Sequence, residues 1–139
     1  MLKQALEDIR ILDLSRIFAG PAGSMVLADL GADVIRIESP RGTDSMREWW
    51  PFVNGESTYY LTANRNKRSV TLNLKNETGK KMFLQLVKKA DVVLENFKAG
   101  TMEKLGLSYD ELKRENPKII MGVPRPGTVE SESDRCARL

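Results

Sequence analysis

Histidine does not occur in this 139-residue chain, and cysteine occurs once, as Cys136. Without histidine the chain can build no Ser–His–Asp triad, no imidazole metal site and no imidazole acid–base pair of its own. One thiol cannot close an intrachain disulfide, which fits a reducing compartment. No apolar run approaches the ~20 residues that span a bilayer. The opening MLKQALEDIR lacks the hydrophobic stretch of a signal peptide and the acid-poor character of a transit peptide. A net charge of +3 is too small to argue for nucleic acid. What is present, 41% hydrophobic and 29% charged residues, is an ordinary soluble composition with material for one core. The expectation is a soluble, cytoplasmic protein with neither membrane nor nucleic acid as partner.

The richest stretch is residues 9–38, IRILDLSRIFAGPAGSMVLADLGADVIRIE. It reads as strand, small-residue turn, helix and second strand. Ala22, Met25, Val26 and Leu30 have the spacing of one helix face. Pro21 suits a first helical position, and Gly31 suits the residue just past the helix end. A helix opening on Gly20-Pro21-Ala22-Gly23 leaves backbone N–H groups that favour an anion, so a phosphorylated or carboxylated ligand is expected.

Residues 39–58 carry turn chemistry and both tryptophans, and read as an irregular excursion with one short helix over 45–50. Residues 69–74 alternate, with Val70, Leu72 and Leu74 on one side, as in a half-buried strand. Asn76 is placed to cap a helix over 77–89 with a stripe of Met82, Phe83, Leu86, Val87 and Ala90. A strand is expected over 91–95 and a short helix over 99–105, stopped by Gly106. The Ser108/Glu111 spacing is that of a capping box opening a helix that ends at Asn116-Pro117. Ile119 and Ile120 begin a last strand. Alternating strands and helices predict an α/β fold, a Rossmann-like parallel sheet with flanking helices. The final sixteen residues, PRPGTVESESDRCARL, are polar and proline-bearing and are expected to be disordered.

Four blocks carry a family resemblance: LDLSRIFAGPAGSMVLADLGADVIRIESPRGTDSMR, STYYLTANRNKRSVTLNLK, ADVVLENFKAGTMEKLGL and YDELKRENPKII. In this order they resemble the front of the class III CoA-transferases, the family of formyl-CoA transferase and of succinyl-CoA-dependent dicarboxylate transferases. The resemblance implies a CoA-binding α/β region over residues 1–123, incomplete relative to the family's full domain, and an unrelated tail over 124–139. It implies an enzyme that moves CoA between an acyl-CoA and a small carboxylic acid through an aspartyl-CoA thioester, with no permanently bound cofactor. The nucleophilic aspartate of the family is expected beyond the C-terminus, so the chain alone is expected to be inactive, as a truncated or frame-shifted product. The family forms homodimers; a piece of it is expected to self-associate or aggregate through exposed sheet edges.

By the same resemblance, Phe18 and Ala19 fall on positions that touch CoA. Leu72, Asn73, Leu74 and Lys75 match the stretch along the adenosine, with Leu72 and Leu74 equally explained as core. Asn96, Phe97 and Lys98 follow a buried strand at the carboxyl end of the sheet, where α/β folds bind ligands. Lys104 lies where the family has a basic residue near phosphate. Arg65, Lys67 and Arg68 form the densest basic cluster and are further phosphate candidates. Ser39 stands where family members often carry a cation, and Arg41 is a possible substitute. Asp13, Asp29 and Asp33 match no catalytic motif and read as structural. Three alternatives stay open: a 2-methylacyl-CoA racemase type of the same family, a dinucleotide-binding oxidoreductase with Glu38 on a ribose, and a non-catalytic remnant or interaction module. The turn is not G-x-G-x-x-G, and Pro21 removes an N–H from it, which weakens the oxidoreductase reading.

Overall fold

The computed structural model describes residues 3–40 and 44–124. In chain order these form β1 (Arg10–Asp13), α1 (Ala19–Asp29), β2 (Asp33–Glu38), a 3-10 turn (Ser45–Glu48), β3 (Phe52–Val53), β4 (Glu56–Ser57), α2 (Thr58–Asn64), β5 (Arg68–Thr71), α3 (Glu77–Val87), β6 (Val92–Leu94), α4 (Thr101–Lys104), α5 (Tyr109–Glu115) and β7 (Ile120–Gly122). Five strands make one parallel sheet in the order β5-β2-β1-β6-β7, while β3 and β4 form a separate antiparallel pair. The chain thus builds outward from β1 to β5, then crosses back to build outward from β6. The Rossmann-like expectation is met.

The pleat sends alternate residues to opposite faces. Leu12, Leu14, Ile35, Ile37 and Val93 pack with Phe83 and Val87 of α3, Met102 of α4 and Leu112 of α5 in the main core. Ile11 and Val34 face the other way, against Ala28 of α1. On that second face Asp13 and Arg36 occupy positions that an apolar strand would fill, and both are buried.

Local sequence sets most boundaries. Asn76 caps α3, its Oδ1 accepting from the Thr78 N–H at 2.8 Å. The Ser108/Glu111 capping box forms in both directions at the start of α5. Gly31 follows α1 with φ +105°, a conformation that side chains disfavour.

Four expectations are corrected. Helix α1 begins at Ala19, two residues before Pro21, and the face it buries is Gly20, Pro21, Ser24 and Ala28. Val26 and Leu30 of the proposed stripe are half exposed. The reason is close packing: a Cβ on Gly20 would collide with Ser15, so small residues rather than large apolar ones face the sheet. Strand β5 stops at Thr71, because Asn73 turns the chain: its carbonyl accepts from Asn76 N–H at 3.0 Å and its Oδ1 from Lys75 N–H at 3.1 Å. Met82 of the α3 stripe is exposed. Helix α2 and the β3–β4 pair, hidden in a stretch without clear periodicity, had no counterpart in the sequence reading. Of the polar tail, residues 125–139 lie outside the described residues, as does Arg41.

Candidate functional site

Three strand ends converge at the carboxyl edge of the sheet. A crevice of about 270 Å³ opens there, lined by Leu14, Arg16, Ile37, Glu38, Ser39, residues 72–75, Phe97, Thr101 and Leu105. Its apolar floor continues the main core: Leu72 is buried, and Leu74, Phe97 and Leu105 pack against the same cluster. Polar groups stand at its rim, namely Arg16, Ser39, Asn73 and Lys75. This is a concave, mainly apolar site with a few polar groups, at the end of an α/β sheet where ligands bind.

The turn after β1 positions Arg16. Asn96, directly after β6, accepts from the Arg16 N–H at 2.7 Å and donates to the Arg16 carbonyl at 2.8 Å. This two-way clasp ties the β1 end to the β6 end. The Arg16 guanidinium then lies over the Phe97 ring, 5.2 Å from its centroid. Glu95 lends its carboxylate to the Phe97 N–H at 2.6 Å, fixing the same loop from below.

A buried polar hub supports that turn from the opposite face. Asp13 accepts from the Ser15 N–H at 2.9 Å, from the Ser15 hydroxyl, and from the Ser24 hydroxyl at 2.6 Å. Lys67 donates to Asp13 at 3.0 Å, to the Pro21 carbonyl at 2.8 Å and to Asn64 Oδ1 at 3.1 Å. All three of its ammonium protons are therefore used. Burial pushes the Lys67 pKa down, while Asp13 opposes the shift. Arg36 pairs with Asp44 and lies 3.5 Å from Asp13. Asp44 also receives the Ile17 N–H at 3.2 Å. Ile17 has φ +64°, an uncommon value for a β-branched residue that this surrounding network holds in place.

Glu38 borders the crevice yet is already committed. Arg47 donates to it through Nε at 3.0 Å and Nη2 at 2.9 Å, Tyr60 at 2.9 Å and Ser69 at 2.7 Å. Burial alone pushes the Glu38 carboxyl up, but these hydrogen bonds outweigh it and hold the pKa at about 2. Burial and the bond to Glu38 push the Tyr60 phenol up to about 12. A carboxylate so occupied is poorly placed to hold a ribose, which weighs against the oxidoreductase alternative.

The crevice brings together Leu72, Asn73, Leu74, Lys75 and Phe97 of the sequence-derived candidates. Asn96 stands behind it as the clasp on Arg16. Phe18, Ala19, Lys98 and Lys104 are exposed and do not line it. Arg65, Lys67 and Arg68 are not free for phosphate: they pair with Asp29, Asp13 and Asp33 at 2.5, 3.0 and 2.7 Å. Just ahead of the first turn, the Ile17 N–H is taken by the protein's own Asp44. Sequence reasoning passed over Arg16, Thr101 and Leu105. For Arg16 the available signal was its place directly after the first strand, in the same carboxyl-end position that singled out Asn96. Among the described residues no group of three or more His, Cys, Asp or Glu could hold a metal ion, and no helix is long and apolar enough to cross a membrane.

Comparison with known proteins gives a consistent result. The family model described as CoA-transferase family III matches residues 6–123. A succinyl-CoA:mesaconate CoA-transferase of Haloarcula marismortui is 47% identical over 134 residues, covering 88% of this chain and 34% of that protein. A succinyl-CoA:glutarate CoA-transferase of Mus musculus is 46% identical over 116 residues, covering 83% of this chain and 27% of that protein. Among solved structures, a CAIB/BAIF family protein from Brucella suis superposes with TM-score 0.83 at 39% identity, over 96% of this chain and 37% of that one. Rv3272 from M. tuberculosis gives TM-score 0.78 at 45% identity, over 85% of this chain and 33% of that one. The chain thus spans about a third of the length of the relatives it matches.

Proposed function

Because this chain belongs to CoA-transferase family III, a family of enzymes, we propose that its crevice receives the nucleotide end of coenzyme A. In this reading Leu72 and Leu74 give the apolar floor, Asn73 and Lys75 offer polar contacts, and Phe97 forms the facing wall. Asn96 fixes the wall by clasping the Arg16 backbone. Phe18, Ala19, Lys98 and Lys104 would meet more distant parts of the same ligand. The observation that carries the reading is the crevice itself. Two sequence blocks some twenty residues apart, 72–75 and the loop after β6, line one apolar cleft with cations at its rim.

The reaction we assign to the whole protein is transfer of CoA from an acyl-CoA to a small carboxylic acid. An aspartate carboxylate attacks the acyl-CoA carbonyl and expels CoA as its thiolate, leaving an acyl–aspartyl anhydride. The thiolate then attacks the aspartyl carbonyl, the donor carboxylate leaves, and CoA is held as an aspartyl thioester until the acceptor carboxylate takes it by the same two steps in reverse. In this reading the aspartate lies outside this chain, as the resemblance to the family implies, while Asp13, Asp29 and Asp33 inside it are each bound to a cation. Residues 1–123 serve as the CoA-binding region, in a cytoplasmic protein that works as a homodimer. Titration with CoA and NAD side by side tests the proposal. Saturable CoA binding without an NAD response supports it; tight NAD binding with no CoA response refutes it.

A further inference from the structure

We infer that Arg16 is the residue that takes a phosphate group of the ligand in the crevice, a role that rests on the CoA reading proposed above. The cations around this end of the sheet fall into two groups. Arg36, Arg47 and Lys67 are spent on Asp44, Glu38 and Asp13. Arg16 and Lys75 line the crevice, and among the described residues neither forms an ion pair. Among the described residues the one carboxylate on the crevice wall, Glu38, is neutralised by Arg47. The open side of the crevice therefore carries uncompensated positive charge above an apolar floor, which suits a ligand that is apolar in one part and anionic in another.

Arg16 is better prepared than Lys75 for this task. Its backbone is held from both sides by Asn96, and its guanidinium rests against the Phe97 ring. The side chain therefore loses less freedom on binding. A guanidinium offers paired donors that match two phosphate oxygens, which an ammonium cannot. Ser39 lies on the same wall and brings no charge, so Arg16 supplies the cation of this side of the cleft.

Calorimetric titration of the wild-type chain, Arg16→Ala and Arg16→Lys with CoA and with dephospho-CoA tests the assignment, at low and at raised salt. Arg16→Ala should weaken CoA binding roughly 10- to 100-fold at low salt, as expected for loss of a charge-assisted pair. The deficit should shrink as salt rises. Arg16→Lys should fall between the two, keeping charge but not the fork. Melting curves should be unchanged, since the side chain is exposed. If the deficit persists with dephospho-CoA, the diphosphate is the partner; if it vanishes, the 3′-phosphate is. Undiminished CoA affinity in Arg16→Ala, or a deficit insensitive to salt, overturns the assignment. A wild-type chain that takes up no CoA removes the underlying functional reading instead, and is told apart by that fact.

Discussion

The two faces of the one sheet hold their helices by opposite means. On the face covered by α3, α4 and α5, Leu12, Leu14, Ile35 and Ile37 meet Phe83, Val87 and Leu112 in an apolar layer. Such contact is non-directional and roughly proportional to buried area. On the face covered by α1 and α2, Asp13, Arg36, Asp44 and Lys67 form a buried ionic hub, to which Ser15, Ser24 and Asn64 add hydrogen bonds, while among the described residues Arg36 Nε and Nη1 find no hydrogen-bond partner. These bonds are directional and fix the position of each loop they touch. The difference has a consequence at the carboxyl edge. The apolar layer ends in an open cleft, whereas the ionic layer fixes the turn that brings Arg16 to the rim of that cleft.

The comparison can be broken most forcefully at Asp13. Asp13→Ala removes a partner of both Lys67 and Arg36 and leaves buried charge uncompensated, so unfolding in urea should show a loss of about 5 kcal/mol. A loss below about 1 kcal/mol would mean that the Asp13 contacts add little to stability. On the apolar face, Phe83→Ala should cost about 4 kcal/mol through lost contact and the cavity left behind. Unlike the first substitution, this loss should not depend on salt or pH, which makes the pair a direct contrast.

Acid should act most strongly on the polar side, where the Glu38 carboxyl is held furthest below its ordinary value. The folded pKa of Glu38, about 2, lies below its usual 4.5, so the group adds stability above about pH 4.5. That contribution, about 2 to 3 kcal/mol, fades as the pH falls towards 2. Acid unfolding of the wild type against Glu38→Gln checks this: the variant should show a flatter pH dependence in that window. The smallest effect belongs to the outer side of α1. Val26→Gln should change stability by no more than about 0.5 kcal/mol, because Val26 is half exposed.

How much the sequence disclosed follows from the same division. Elements marked by local chemistry were legible: the Asn76 cap, the Ser108/Glu111 box, Gly31 and Gly106 as stops, and the apolar strands. The ionic face was not. Nothing in the spacing of Asp13, Arg36, Asp44 and Lys67 tells that the fold gathers them, since the pairs are up to 54 positions apart. For the same reason Arg65, Lys67 and Arg68 read as a free basic cluster although each has a carboxylate waiting elsewhere in the fold. The helical stripe through Val26 and Leu30 misled because α1 approaches the sheet through Gly20, Ser24 and Ala28, where small size outweighs hydrophobicity. The residues of the crevice were legible where they came as a block, 72–75, and where a strand end marked them, as at Phe97. Thr101 and Leu105 are set in place only by the turn of α4.

The most direct test of the whole account is backbone NMR of the chain titrated with CoA. The account predicts saturable shifts at Arg16, at residues 72–75 and at Phe97, with residues 65–68 on the opposite face unmoved. Shifts centred on 65–68, or a spectrum unaltered by CoA, would contradict it.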